Sequence, residues 1–140
     1  MKKVIILTHG GLSEGFQSAF ELICGKESGL ETIVMEAKDS PTTLSKKIQE
    51  KISKFSEDDT IILLTDIPAG STTKTAVSFL KDYKNLYIVS GINLGLLLEI
   101  MMDPMEQAEE SIRRSIALSK DTIQFINDEL KILALDCKEE

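Results

Sequence analysis

Residues 4–11 read VIILTHGG: four consecutive aliphatic side chains, then Thr8 and His9, then two glycines. A strand with one wet face alternates apolar and polar positions. An unbroken apolar run closed by glycine is instead the pattern of a strand buried on both faces, as in a parallel sheet covered by helices. The same signature returns at Ile61-Ile62-Leu63-Leu64, closed by Thr65-Asp66, and in shorter form at Thr32-Ile33-Val34-Met35 and Leu86-Tyr87-Ile88-Val89.

Helical patterns lie between these runs. Ser13 is placed to cap a helix in which Phe16, Ala19, Phe20, Ile23 and Cys24 share one face, with Gly25 after the last of them. Ser40-Pro41 opens a second helix whose Leu44, Ile48, Ile52 and Phe55 form a stripe. After the third strand, TDIPAGSTTKTA (residues 65–76) turns into a helix with Ala76, Val77 and Leu80 inward. SGIN (residues 90–93) leads into a leucine-rich run, with Asn93 as its cap. Pro104 then starts a long segment with Ala108, Ile112, Ile116, Ile123 and Ile126 at near-helical spacing. The stretch KILALD (residues 131–136) fits either a final strand or a helical end, and the tail Lys138-Glu139-Glu140 reads as frayed.

Strand and helix alternate four times, so the fold class is α/β, an open parallel sheet with helices on both faces. With 140 residues and no repeat, linker or low-complexity tract, residues 1–140 read as a single domain. The net charge of −7 argues against nucleic acid, whose phosphates call for a basic face, and suits a partner with a basic surface. Cys24 and Cys137 are far apart and lack companions at ligand spacing, so no metal site and no disulfide is expected, which points to a reducing compartment. The opening MKKVIIL is too brief an apolar run for a signal peptide, and no other stretch is of membrane-spanning length. A soluble, cytoplasmic protein without membrane insertion is the expectation.

Ligands of open parallel sheets collect outside the carboxyl ends of the strands. Those ends carry Thr8-His9-Gly10-Gly11, then Thr65-Asp66 with Gly70-Ser71, then Ser90-Gly91 with Asn93. His9 is the only histidine. An aspartate beside it would accept the Nδ1 proton and leave Nε2 as a free nucleophile, and Asp66 is the candidate. Helix amides after Gly10-Gly11 would favour a dianionic group on His9, and Ser71 at a helix start suits a phosphate as well as it suits a plain cap. Each residue also has an ordinary explanation: a strand-end histidine, a turn aspartate ahead of Ile67-Pro68, a capping serine. Gly10 and Gly15 have the spacing of a phosphate-cradling loop, but Phe16 stands where that motif needs lysine. The dinucleotide fingerprint is missing too, so no nucleotide cofactor is expected. Taken together the residues suggest a phosphohistidine site.

These blocks resemble the enzyme IIA domains of the mannose-type sugar phosphotransferase system. ILTHGGLSEGF (residues 6–16) is similar to a first strand ending in Thr-His-Gly. Asp66 with AGST (residues 69–72) is similar to an Asp followed by Gly-Gly-Ser-Pro, and SGINLGLLLEIMM (residues 90–102) to Gly-Val-Asn-Leu-Pro with a leucine-rich helix. The resemblance implies that His9 is phosphorylated by the histidine phosphocarrier protein and passes the group to enzyme IIB for sugar uptake. Asp66 would orient the ring, and Gly10, Gly70 and Ser71 would hold the phosphate, with no cofactor and no metal. It further implies strand order 2-1-3-4, a fifth, antiparallel strand over Lys131–Asp136, and a homodimer in which that strand is exchanged. Departures fall in one region: Ala69 for a Gly, Thr72 for a Pro, Lys74 for a frequent Asn, and Gly95 for the later Pro. They imply altered donor or acceptor preference. Alternatives are the phosphotransfer subunit of a dihydroxyacetone kinase, a regulatory module of the same fold that does not transfer phosphate, and a small hydrolase. The last requires Ser71 within hydrogen-bond distance of His9.

Overall fold

The computed structural model of the chain describes residues 1–26 and 29–139. In chain order the elements are β1 (Lys2–His9), α1 (Leu12–Cys24), β2 (Leu30–Met35), α2 (Pro41–Ile52), β3 (Thr60–Thr65), α3 (Ser71–Val77), β4 (Leu86–Ser90), α4 (Leu94–Met102), α5 (Ala108–Lys120) and α6 (Ile126–Glu139). The strands form one sheet in the order β2-β1-β3-β4, and every neighbouring pair is parallel.

Val4, Ile5, Ile6 and Leu7 are each 0% exposed, which is what the continuous apolar run requires. Successive side chains of a strand point to opposite faces. Val4, Ile6, Ile62 and Leu64 accordingly pack with Phe20 of α1, Leu97 and Ile100 of α4 and Ile112 of α5. Ile5, Leu7, Ile61 and Leu63 pack with Leu44, Ile48 and Ile52 of α2 and with Ala76 and Phe79. Lys2 ties the first of these layers to the sheet: its ammonium donates to the carbonyls of Ile100, Met101 and Asp103 at 2.8, 2.6 and 2.7 Å, closing the carboxyl end of α4. On the other side Lys47 donates to the Val34 carbonyl at 2.9 Å and to Asp39 at 2.6 Å, covering the sheet edge at β2. The Lys47 ammonium, the Glu36 amide and the Thr43 hydroxyl, against an opposing effect of desolvation, bring the Asp39 carboxyl down to about 2.

Ser40 caps α2 through the Thr43 amide at 3.2 Å, and Asn93 caps α4 through the Leu96 amide at 2.8 Å, both as the sequence predicts. Ser13 does not cap α1. It lies inside the first turn, buried, where its amide donates to Thr8 Oγ1 at 2.7 Å and its hydroxyl to the Ile33 carbonyl at 3.1 Å, while Gly11 occupies the cap. Ile23 and Cys24 are exposed rather than inward, because the apolar face of α1 ends at Phe20 and its last turn meets no other layer. Val77 and Leu80 also face outward, and Thr72, Thr75 and Ala76 take the inner face of α3.

The carboxyl-terminal third differs most from expectation. The segment after Pro104 is interrupted at the end of α5, where the Thr122 hydroxyl takes the Ser119 carbonyl at 2.6 Å and so occupies the acceptor that a continuing helix needs. Residues 131–136 lie within α6 and form no fifth strand. Lys, Leu and Ala are strong helix formers, Ile132 is the only β-branched residue of the six, and the helix satisfies its own backbone where a strand would need a sheet edge. Helix α6 runs to Glu139, and Glu140 lies outside the described residues. Among the described residues no helix is long and apolar enough to cross a membrane.

Candidate functional site

Strands β1 and β3 are adjacent and parallel, with Leu7 opposite Thr65. Common polarity delivers the ends of both strands to one edge of the sheet, so His9, which ends β1, meets Asp66, which follows β3 directly. The imidazole Nδ1 lies 2.7 Å from Asp66 Oδ2, and the His9 backbone amide donates to the same oxygen at 2.8 Å. The other oxygen, Oδ1, accepts from the Ile67 amide at 3.0 Å and from the Thr72 hydroxyl at 2.9 Å. Four donors thus fill the acceptor positions of one carboxylate.

Partial burial by itself raises the Asp66 carboxyl. The His9 amide, the His9 ring and the Thr72 hydroxyl outweigh it and hold the group below the usual carboxylate range. An ionised carboxylate only accepts, so the neutral ring must carry its proton on Nδ1 and present a lone pair at Nε2. The Asp66 side chain is 11% exposed and that of His9 is 44% exposed, so the carboxylate is sheltered while the ring remains open to a docking molecule. Among the described residues, none hydrogen-bonds Nε2.

Two glycines shape this edge. Gly10 turns the chain with φ of 57°, in the left-handed region, while its amide still donates to the Met35 carbonyl at 2.9 Å. At Gly70 a Cβ would stand 2.8 Å from Ile67 Cγ1 and 3.0 Å from His9 Cε1, so a glycine there leaves the space the imidazole occupies. Ser71, the first residue of α3, makes no capping bond and opens instead on a cleft of about 380 Å³ between α2 and α3, shared with Pro41, Ser45 and Lys74. No hydrogen bond joins Ser71 to His9, which removes the geometry a serine hydrolase would need.

The structure therefore brings His9, Asp66 and Gly70 together, keeps Gly10 beside them in the chain, and places Ser71 toward a neighbouring cleft. Thr72 escaped the sequence reading as a site residue. It stood out there only as a departure from a motif, yet it is fully buried and reaches Asp66 across the turn. A hydroxyl on the second residue of the helix after the aspartate was the available signal.

An open parallel sheet with an exposed imidazole held by a carboxylate at its carboxyl edge defines a class of α/β domain built around one histidine. The family model described as "PTS system fructose IIA component" matches residues 3–117, and the chain belongs to that family: it is a component of the phosphotransferase system, of the mannose/fructose type. Solved structures agree. The phosphotransferase system component EIIA from Streptococcus agalactiae is 26% identical with a TM-score of 0.81, the match covering 91% of this chain and 99% of that one. A Klebsiella pneumoniae protein described as a phosphoenolpyruvate-dependent sugar phosphotransferase system permease is 27% identical, also with a TM-score of 0.81, over 92% of this chain and 93% of that one. The mannose/sorbose-specific IIA subunit from Enterococcus faecalis shares the fold with a TM-score of 0.82 at 22% identity, over 89% and 94% of the two chains.

Proposed function

We propose that the protein is a phosphocarrier that accepts a phosphoryl group on His9 Nε2 from the histidine phosphocarrier protein and passes it to enzyme IIB. The observation that carries this reading is the 2.7 Å contact between Asp66 Oδ2 and His9 Nδ1, which leaves Nε2 free on an exposed ring. In the transfer the donor's P–N bond breaks as the bond from Nε2 to phosphorus forms. The electron pair of the broken bond returns to the donor imidazole, and the Nδ1 proton stays on His9 facing Asp66. Gly10 and Gly70 keep side chains out of the space beside the ring, and Ser71, which opens on the neighbouring cleft, has to turn toward His9 to add its hydroxyl. No cofactor enters the step, and positioning with charge compensation supplies the rate. The site of action is the cytoplasm, where the phosphoryl donors of such a relay are made.

The test is to incubate the protein with phosphoenolpyruvate, enzyme I and the phosphocarrier, and to follow intact mass. One acid-labile phosphoryl adduct is expected, and none in His9→Ala. A native protein that stays unmodified by a matched donor would overturn the proposal and favour a regulatory role for this fold.

We also infer that the protein works as a homodimer, with α6 as the pairing element in place of an exchanged strand. Ile126, Leu130 and Leu133 recur at steps of four and three residues and are each more than half exposed, an apolar seam that a short helix cannot leave in water at no cost. Light scattering on a size-exclusion peak should give twice the chain mass, and Leu130→Glu with Leu133→Glu should return it to the monomer. A monomeric native protein would dismiss the pairing.

A further inference from the structure

Asp66 has two oxygens with different duties. Oδ2 faces the ring, and Oδ1 faces the rest of the protein through the Ile67 amide and the Thr72 hydroxyl. The Ile67 amide belongs to the next residue in the chain, so it moves with Asp66 and fixes the carboxylate only locally. Thr72 lies six positions on, is 0% exposed, and sits in the inner layer of α3 beside the buried Ala76. Its neighbour Thr73 pins the same turn from the other side, donating to the Ile67 carbonyl at 2.6 Å with Thr65 Oγ1 2.7 Å away. The turn from Asp66 to Gly70 is thus held to α3 by two adjacent hydroxyls, one on the carboxylate and one on the backbone.

We infer that Thr72 is a positioning residue: its hydroxyl locks the rotation of the Asp66 carboxylate so that Oδ2 stays in line with His9 Nδ1 and the ring keeps its nucleophilic nitrogen free. Rotation about the Asp66 Cβ–Cγ bond would carry Oδ2 away from the ring, and the hydroxyl of a buried, β-branched side chain is well suited to oppose it. Threonine has a restricted χ1, and its Oγ1 is held within a packed layer. The hydroxyl also stabilises the ionised carboxylate, the form that can accept from Nδ1. Loss of this single bond leaves Oδ1 held only by the Ile67 amide, which moves with Asp66, while the apolar contacts of α3 stay in place.

This inference rests on the phosphocarrier reading for its kinetic consequence but not for its structural one. The sole histidine makes the ring a clean reporter: nitrogen NMR of the chain alone, in alkaline buffer where the imidazole is neutral, gives the ratio of Nδ1–H to Nε2–H tautomers with no donor present. Thr72→Val, which keeps the shape and removes the donor, should raise the share of the Nε2–H form and slow phosphoryl acceptance by about tenfold to a hundredfold, the worth of one hydrogen bond to a charged acceptor. Thr72→Ser should restore both. A valine variant with the native tautomer ratio, or a serine variant no better than valine, would overturn the inference. Should the valine variant fail to fold, Thr72→Ala read against Thr72→Ser by the same spectrum decides between the same two outcomes. A tautomer shift in a protein that accepts no phosphate would retire the phosphocarrier proposal and leave this one standing.

Discussion

Asp66→Asn should lower the rate of phosphoryl acceptance at His9 by about ten-thousandfold, the order of loss seen when a catalytic imidazole loses its orienting carboxylate. The substitution keeps the volume and removes the charge. It also creates a conflict the native residue avoids, because both carboxylate oxygens accept from backbone amides, Oδ2 from His9 and Oδ1 from Ile67. Whichever way the asparagine amide is turned, one of its N–H groups meets a backbone N–H. With the nitrogen toward His9 it also meets Nδ1, and the ring proton is pushed to Nε2, where it blocks attack. With the nitrogen toward Ile67 the tautomer survives, but no negative charge balances the ring as Nε2 bonds to phosphorus with Nδ1 still protonated. Both apolar layers are untouched, so the fold should persist. The measurement is a quenched-flow time course of the phosphoryl adduct, with the tautomer ratio read in parallel. An asparagine variant that accepts phosphate at the native rate would sink the role assigned to the carboxylate.

How much of this could be read from the chain follows from the range of the interactions involved. The runs at Val4–Leu7 and Ile61–Leu64 declare themselves because burial on both faces leaves no polar position, and the structure places all eight side chains inside. Ser40-Pro41 and Asn93 are legible because capping is settled within a turn. The meeting of His9 and Asp66 is also foreseeable, since parallel polarity alone sends both to one edge. What fails is what depends on a partner distant in sequence. Ser13 looks like a cap, but the Thr8 hydroxyl takes the amide and the Ile33 carbonyl takes the serine. Ile23 and Cys24 have the right spacing for the core, yet no layer extends to meet them. KILALD is ambiguous by pattern because a short apolar run fits strand and helix alike, and its helical propensity decides. Thr72 was hidden for a different reason: a threonine in a polar turn carries no periodic signal, and only the packed α3 aims its hydroxyl at the carboxylate.

The register that makes the site is maintained by the layer beneath it, and Leu63→Ala should expose that dependence. Leu63 is 0% exposed in the central strand, opposite Ile5 on one side and Ile88 on the other, and it packs in the layer formed with α2 and Phe79. Removing its side chain beyond Cβ leaves a void that neighbours on three strands and a helix cannot all collapse to fill. A loss of about 3–4 kcal/mol is expected, from transfer and cavity costs together. Against a total stability on the order of 5–15 kcal/mol for such a domain, that is enough to shift a urea midpoint markedly with little change in slope. Leu22→Ala is the matching control, because Leu22 is 88% exposed on α1 and its truncation removes almost no buried surface. The folded fraction of the Leu63 variant should keep the native His9 tautomer, since Leu63 supplies none of the carboxylate's four donors. A Leu63 midpoint indistinguishable from that of Leu22→Ala would mean that β3 is not the packed centre of the sheet, and the alignment of Thr65-Asp66 with His9 would lose its mechanical basis.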